Sequence, residues 1–540
     1  MESGKRNNAS LDVVNVVNTL IKRGYLLSPD LILSQEELKR VQNISPEPSV
    51  ENGVAVIFPE ILSHISDSAN KDFNWSELEV SRALYEKDKN LEVYENYLAY
   101  LNSKELKTEV SKELVEPQSE MWDVQAQTPY SEIYKKRTVQ DFIDLFNVRY
   151  REIESMLMRR RELQNVTAIS RVRGAEQKQN VAVIGMVADK QVTKNKNILL
   201  KVEDPTASIS VLVNQRNQDL FLQAKDTVDD EVVGVLGTSG RNIIFADKLI
   251  MPEVHSFKEL KKANVASHVM FLSDLHIGSI NFLQDEFDRL ISWIKGESGS
   301  EKQQSLAEKV KYIFILGDLV EGVGVYPDQE DELEIKDIYE QYSVCAQYLK
   351  EIPKEKKIII IPGNHDAVRL AEPQPALYKD LAEPLWKLPN ILMLGNPAYI
   401  NIMESDSFPG FELLLYHGYS FTYFAEQVES LRLKGGVDRA DLIMKFLLQR
   451  RHLAPTHTST LYIPHPETDA LSIKRTPDFF ASGHLHKCVV TNYKNITLIS
   501  GSCWQSKTSF MEKLGIHPEP ARVPIVNLQT RAVKVLRFGR

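Results

Sequence analysis

The pattern of hydrophobic and polar positions changes character four times along the chain. Apolar residues recur at helical spacing from residue 11 to residue 21, and residues 34–37 (SQEE) have the form of a helix-capping box. This pattern predicts a small helical N-terminal domain over residues 1–45. Residues 46–135 begin with a proline-containing stretch and continue Glu/Lys-rich with weak periodicity, which predicts a partly disordered linker.

Two stronger patterns follow the predicted linker. Residues 136–165 place Thr138 three positions before Asp141 and then repeat apolar residues at helical spacing, which predicts a long connecting helix. Residues 166–255 contain five short apolar runs separated by turn residues, which fits an OB-fold barrel. These runs offer little more than Phe245 for stacking on a nucleobase, so a structural or docking role is favoured over single-strand binding.

Residues 256–540 form the largest predicted domain, and its strands share one property. Five runs typical of buried strands each end in Asp, Asn or His, mostly beside Gly: HVMFLSDLHIGS, KYIFILGDLVEG, KKIIIIPGNHDA, FELLLYHGYS and PDFFASGHLHKC. Loops that follow the strands of a rigid sheet converge, so these side chains are expected to meet. The candidates are Asp274, His276, Asp318, Asn364, His365, Asp366, His417, His484 and His486.

Each of these strand ends has an ordinary structural explanation when it is taken alone. A single His after a strand is commonly a loop or core residue, and a single GD is a turn. The complete set is different, because clustered carboxylates repel one another unless cations lie between them. Mixed nitrogen and oxygen donors without Cys suit Mn²⁺, Fe or Zn²⁺ better than Ca²⁺, and two ions about 3.5–4 Å apart can clamp a phosphate.

The order D-x-H, GD, GNHD, a single strand-end H and GHxH resembles that of the calcineurin-like metallophosphoesterases. The resemblance implies a multidomain α+β chain whose last domain is a two-sheet β sandwich flanked by helices. It also implies two divalent metal ions, with Mn²⁺ preferred and Mg²⁺, Fe and Zn²⁺ as alternatives. One ion would be held by Asp274, His276, Asp318 and His486, and the other by Asp318, Asn364, His417 and His484.

The same resemblance assigns roles to the residues around Asn364. His365 would face the scissile phosphate and protonate the leaving oxygen, and Asp366 would orient His365. Arg369, one turn farther on, is a candidate phosphate contact, with a surface salt bridge as the equally weighted alternative.

A narrower resemblance covers residues 160–540. The stretches VEGVGVYPDQEDELEIKDIYEQY, GNHDAVRLAEPQPAL and GSCWQSKTSFMEKLGIHPEPARVP are similar to the small subunits of archaeal D-family DNA polymerases. This resemblance implies a 3′→5′ proofreading exonuclease that partners a large catalytic subunit, as a heterodimer or heterotetramer. DNA 3′ ends and, through the complex, a sliding clamp are the further implied partners. The alternatives are a non-catalytic scaffold subunit and a phosphoesterase of other substrates.

The composition of the chain bears on its cellular location and its mode of binding, and it does not bear on the reaction. The net charge of −9 argues against binding nucleic acid mainly by bulk charge, although metal ions or a partner subunit could supply positive charge. No apolar run reaches the roughly 18 residues of a membrane span, and the N-terminus lacks the features of a signal peptide. Three cysteines form no disulfide framework, so a reducing cytoplasmic location without membrane contact is expected.

Overall fold

A computed structural model describes residues 25–27, 55–57, 124–127, 136–173, 178–254, 258–405, 407–513 and 515–539. Most of the predicted helical domain, including the SQEE capping box, lies outside the described residues. The chain divides into two compact units, residues 1–116 and 117–540. In the first unit, strand β1 (Tyr25–Leu27) pairs in parallel with β2 (Ala55–Ile57). The sequence pattern predicted neither strand, because runs of three residues are too short to show a period.

The second unit contains all the other described elements. Its strands are β3 (Val124–Gln127), β4 (Asn180–Val192), β5 (Ile198–Asp204), β6 (Ala207–Val213), β7 (Val232–Gly240), β8 (Ile243–Ile250), β9 (His268–Leu272), β10 (Val310–Leu316), β11 (Lys357–Ile361), β12 (Ile391–Met393), β13 (Ala398–Ser405), β14 (Phe408–Leu415), β15 (Phe479–Ser482), β16 (Val489–Tyr493), β17 (Ile496–Ser500), β18 (Arg522–Asn527) and β19 (Val533–Arg537). Its helices are α1 (Val139–Leu157), α2 (Ile169–Arg173), α3 (Gln218–Lys225), α4 (Gln284–Ile294), α5 (Glu301–Glu308), α6 (Ile338–Lys350), α7 (Glu383–Trp386), α8 (Phe421–Gln427), α9 (Glu429–Leu433), α10 (Ala440–Arg450) and α11 (Ser509–Lys513).

Helix α1 begins where the sequence predicts. The Thr138 backbone N–H donates to Asp141 Oδ2 at 2.7 Å, which forms the reciprocal capping box. Tyr150, Ile153 and Leu157 on one face of α1 pack against the outside of the barrel described next. The helix therefore joins the barrel to the rest of the unit.

Strands β4 to β8 close into a barrel in the order β4-β5-β6-β8-β7. Alternate residues point inward, as Val183, Leu200 and Val211 show, because side chains in a strand alternate between its two faces. Phe245 on β8 keeps 43% of its surface exposed.

The remaining strands form two mixed six-stranded sheets. The first has the order β12-β11-β10-β9-β18-β19, and the second has the order β16-β17-β15-β14-β13-β3. In β9, Val269 and Phe271 face the second sheet, while Met270 and Leu272 face the helices on the other side. Such strands are buried on both faces and therefore read as unbroken apolar runs.

Helices cover the outer face of each sheet. α4, α5, α6 and α7 pack on the first sheet, and α8, α9 and α10 pack on the second. The predicted two-sheet sandwich flanked by helices is the arrangement found. No helix among the described residues is long and apolar enough to cross a bilayer.

One element differs from the sequence-based expectation. Residues 124–127 fall inside the predicted linker, yet they form β3, which pairs antiparallel with β13 at the edge of the second sheet. Val124 is buried in the core between the two sheets. The run VQAQ is too short to be recognised as a strand, and its pairing partner lies more than 270 positions away in the sequence.

Candidate metal centre

The topology brings the predicted strand ends together. Strands β9, β10 and β11 are parallel neighbours in the first sheet, and β14 and β15 are parallel neighbours in the second. Their carboxyl ends therefore lie at one edge of the sandwich. The loops that leave this edge carry all the candidate ligands.

Five candidate ligands have left-handed backbone conformations. The φ angles of Asp274, His276, Asp318, His484 and His486 lie between 52° and 69°. Residues other than Gly rarely adopt this backbone conformation, because it is strained. Residues that do adopt it cluster at functional sites, where the surrounding structure compensates the strain. The Asp274 N–H donates to Gly317 O at 3.0 Å and the His276 N–H to Asp318 O at 3.1 Å, which holds two of these loops together.

Asp274, His276 and His486 form the first group of ligand atoms, all within 4.8 Å of one another. The Nε2 atoms of His276 and His486 lie 3.1 Å apart, and His486 Nε2 lies 3.4 Å from Asp274 Oδ1. All three side chains are buried. Two imidazole nitrogens that converge beside a buried carboxylate form a donor set that suits a divalent transition metal.

Asp318, His417 and His484 form the second group. His417 Nε2 lies 3.3 Å from Asp318 Oδ2 and 2.9 Å from Asn364 Oδ1. Asp318 Oδ2 also lies 3.9 Å from His276 Nε2 of the first group. The Asp318 carboxylate therefore stands between the two groups, where a bridging ligand would be needed.

Electrostatics shows how strongly these groups are coupled. Burial alone would raise the pKa of Asp318, but positive charge on His417, His365 and His276 outweighs burial and lowers that pKa well below its usual value. Burial opposes protonation of His417, yet the Asp318 charge raises the His417 pKa to about 9. The buried carboxylates thus require compensating positive charge at this edge of the sandwich.

His365 occupies the accessible rim of the cluster. Its backbone N–H donates to Asp318 Oδ1 at 2.8 Å, and its ring Nδ1 lies 2.9 Å from Glu321 O. The ring meets the His276 ring edge to face, with centroids 4.7 Å apart, and 17% of the side chain is exposed. This imidazole can therefore meet a molecule that enters from solvent.

The orienting role of Asp366 stays a prediction, and the bonds of its carboxylate run to backbone groups. Its Oδ2 accepts the Gly363 N–H at 2.8 Å and its Oδ1 accepts the Leu319 N–H at 3.1 Å. The buried carboxylate therefore braces the backbone of two loops, and the Glu321 carbonyl holds the His365 ring. Burial and the charge of Asp318 raise the Asp366 pKa to about 7.

Arg369 is directed toward its own loop. Its guanidinium donates to Pro373 O through Nη2 at 2.7 Å and through Nε at 3.2 Å. These bonds stabilise the turn after the GNHD motif. Contact with a phosphate remains a prediction.

Glu321 is the functional residue that sequence reasoning missed. Its side chain is 1% exposed, and its Oε2 lies 2.9 Å from His276 Nδ1 and accepts a hydrogen bond from Gln505 Nε2 at 2.8 Å. A carboxylate beside Nδ1 is the support that metal-ligating histidines ordinarily have, and it leaves Nε2 for the proposed metal position. The only sequence signal is its position three residues after Asp318 in GDLVEG.

Comparison with known proteins agrees with this geometry. Residues 267–488 match the calcineurin-like phosphoesterase family. The chain is 39% identical over 406 residues to the DNA polymerase II small subunit of Methanothermobacter thermautotrophicus, covering 75% of this chain and 81% of the relative. It is 36% identical over 401 residues to the protein of the same name from Archaeoglobus fulgidus, covering 74% and 78%.

Solved structures give a more distant likeness. An archaeal phosphodiesterase aligns with a TM-score of 0.24 and 12% identity, covering 50% of this chain and 98% of that protein. A zinc complex of Vps29 from Entamoeba histolytica aligns with a TM-score of 0.22 and 12% identity, covering 50% and 99%.

Proposed function

We propose that this chain is the 3′→5′ proofreading exonuclease subunit of a D-family DNA polymerase. The chain belongs to the family of archaeal DNA polymerase II small subunits, and it carries a calcineurin-like phosphoesterase domain. The observation that carries this proposal is the pair of donor groups that meet at Asp318, with the accessible His365 at their rim. A scaffold would have no need for such a costly arrangement of buried carboxylates.

The donor set fits two divalent cations. Asp274, His276, Asp318 and His486 would hold one, and Asp318, Asn364, His417 and His484 the other. When bound, the cations would neutralise charge on the phosphodiester and activate the attacking water. Mn²⁺ is the proposed ion, because imidazole and carboxylate donors are mixed here without thiolate.

The protein's own groups would complete the reaction. The Glu321 carbonyl accepts from His365 Nδ1, which leaves Nε2 of the imidazolium to give its proton to the leaving 3′ oxygen. Asp366 and Gly363 keep the GNHD loop in the position from which His365 reaches the substrate. Gly363 is required there because a Cβ atom would collide with Asp318 Oδ1.

The test compares wild type with His365→Ala on a labelled primer with a mismatched 3′ end, in Mn²⁺, with and without the large subunit. We expect at least about a hundredfold loss of end degradation, because general acid catalysis contributes about 10²–10⁴. Metal content measured by elemental analysis should stay at two ions per chain. His268→Gln, at the opposite end of β9 from the ligands, is the control and should keep full activity.

A scaffold role is the second candidate, and the barrel favours it. Its strand order suggests an OB fold, and the outward-facing Phe245 offers limited stacking surface, so we infer docking to the large catalytic subunit. The proposed polymerase subunit would also bind DNA 3′ ends and, through the complex, a sliding clamp. Intact assembly without end degradation in wild type would establish the scaffold instead.

A further inference from the structure

A groove of about 840 Å³ opens beside His484, and its chemistry differs from that of the metal centre. Phe142, Tyr419, His457, Leu461 and Tyr462 contribute to its walls, together with several hydroxyl side chains. Among the described residues that line it there is no Asp, Glu, Lys or Arg. Its volume lies within the range of about 300–1,000 Å³ typical of small-ligand sites.

The groove is continuous with the metal centre through His484. The Tyr419 ring lies 5.7 Å from the His484 ring, centroid to centroid, and Thr422 Oγ1 lies 3.4 Å from His484 Nε2. A ligand whose phosphate lay at the metal centre would therefore place its next covalently attached group in this groove.

The far wall of the groove is preformed. The His457 ring stacks on Tyr462 at 5.6 Å and receives the edge of Phe142 at 5.4 Å. Thr460 donates to the buried Glu372 at 2.8 Å, which fixes the base of the same wall. Leu461 keeps 55% of its surface exposed at the rim of the groove.

We propose that this groove binds the nucleobase of the unpaired 3′-terminal nucleotide, with the base stacked on Tyr419. This inference rests on the proposed nuclease function, and it adds a reason why the nuclease would prefer unpaired 3′ ends. A neutral, aromatic groove suits the face of any base, whereas a phosphate would need cationic partners. A base paired in a duplex cannot enter such a groove, so the site would select frayed, mismatched or single-stranded ends.

The first measurement detects the base without requiring hydrolysis. An oligonucleotide with 2-aminopurine at its 3′ end and a terminal phosphorothioate is titrated with the full-length protein. We expect fluorescence quenching on binding in wild type, and binding at least about fivefold weaker with quenching lost in Tyr419→Leu, because base stacking on one aromatic ring has that order of effect. Tyr419→Phe, which keeps the ring, should behave like wild type.

Tyr339→Leu is the matched control, because Tyr339 is 56% exposed and does not line the groove. Equal quenching by wild type and Tyr419→Leu would overturn the inference, whatever the nuclease activity. If quenching is lost in Tyr419→Leu but wild type does not degrade primers, the groove binds the base and the proposed exonuclease activity is rejected.

The second measurement removes the contact between the base and Tyr419 from the substrate side, by using a primer end that has no base. Primers ending in a normal unpaired nucleotide and in an abasic residue are compared for KM and kcat. Wild type should show at least about a fivefold higher KM for the abasic end, and Tyr419→Leu should lose this difference while keeping wild-type KM for the abasic end. If Tyr419→Leu lowers activity equally on both primers, Tyr419 has a structural role and the groove does not read the base.

Discussion

At the level of single residues, Glu321 contacts both His276, a proposed metal ligand, and His365, the proposed proton donor. Its carboxylate contacts His276 Nδ1, and its backbone carbonyl contacts His365 Nδ1. Burial would raise the pKa of the Glu321 carboxyl, but the charge of His276 outweighs burial and lowers it. Glu321 is therefore an ionised and almost fully buried group beside the two imidazoles.

Glu321→Gln tests a positioning role for this carboxylate. The amide keeps the size of the side chain but can accept from only one oxygen, while His276 Nδ1, Gln505 and Tyr326 all meet the carboxylate. We expect metal affinity at the Asp274 group to fall about 10–100-fold, measured by competition with a chelator. Glu330→Gln is the control, because Glu330 is 78% exposed and pairs with Lys336 at the surface. Unchanged affinity in Glu321→Gln would show that His276 needs no such support.

At the level of elements, a buried ion pair fastens helix α1 to the segment that follows α10. Arg149 Nε donates to Asp469 Oδ2 at 2.8 Å, and its Nη1 donates to Pro455 O at 2.7 Å. His452 Nε2 lies 2.9 Å from the same Asp469 oxygen. All three side chains are almost fully buried. This segment also forms the wall of the groove beside His484, so α1 holds that wall in place.

Arg149→Met should destabilise the second unit by about 3–5 kcal/mol, because removing one partner leaves Asp469 charged and buried. Denaturant unfolding followed by tryptophan fluorescence measures the change. Arg151→Met, on the exposed face of the same helix, should stay within about 0.5 kcal/mol of wild type. The double variant Arg149→Met/Asp469→Leu should recover much of the loss, since no unpaired charge remains.

The same cluster predicts a pH effect. Burial lowers the pKa of His452 to about 4, below its ordinary value of 6.5. The unfolded chain therefore binds a proton at this histidine before the folded chain does, and stability is lost as pH falls below 6.5. Between pH 7 and pH 5 the free energy of unfolding should fall by about 2 kcal/mol more in wild type than in His452→Gln, measured by denaturant titration. Equal slopes would mean that His452 has the same pKa in the folded and the unfolded chain.

At the level of the whole molecule, the site belongs to the second compact unit, residues 117–540. That unit includes β3, which covers the edge of β13 and places Val124 in the core between the sheets. Uncovered strand edges promote association between chains. Residues 124–127 are therefore part of the sandwich, although the sequence assigns them to a linker.

Two fragments test this boundary. Residues 117–540 should show no self-association through the β13 edge and should bind two Mn²⁺ ions, because every candidate ligand and both sheets are complete. Residues 136–540 lack β3 and should show a lower thermal midpoint and self-association. Calorimetry and size-exclusion chromatography distinguish the two fragments. Identical behaviour would show that β3 contributes nothing to the sandwich.

Local sequence determined the elements whose signals lie within a few residues. The capping box of α1, the apolar strands, the ligand types at their ends and the order of the motifs all depend on neighbours along the chain. The candidate ligands could be named because strand ends in one sheet converge by rule, and the structure brings together the set expected from the sequence.

Tertiary structure alone decided what depends on distant partners. The support of His276 and His365 by Glu321, the bracing role of Asp366, the pairing of β3 with β13 and the aromatic groove all join segments that periodicity treats separately. A contact between residues far apart in the chain produces no hydrophobic periodicity in either segment, because each residue fits the shape and charge of its distant partner and not those of its neighbours along the chain. The residues that position the chemistry therefore became visible only in the folded chain.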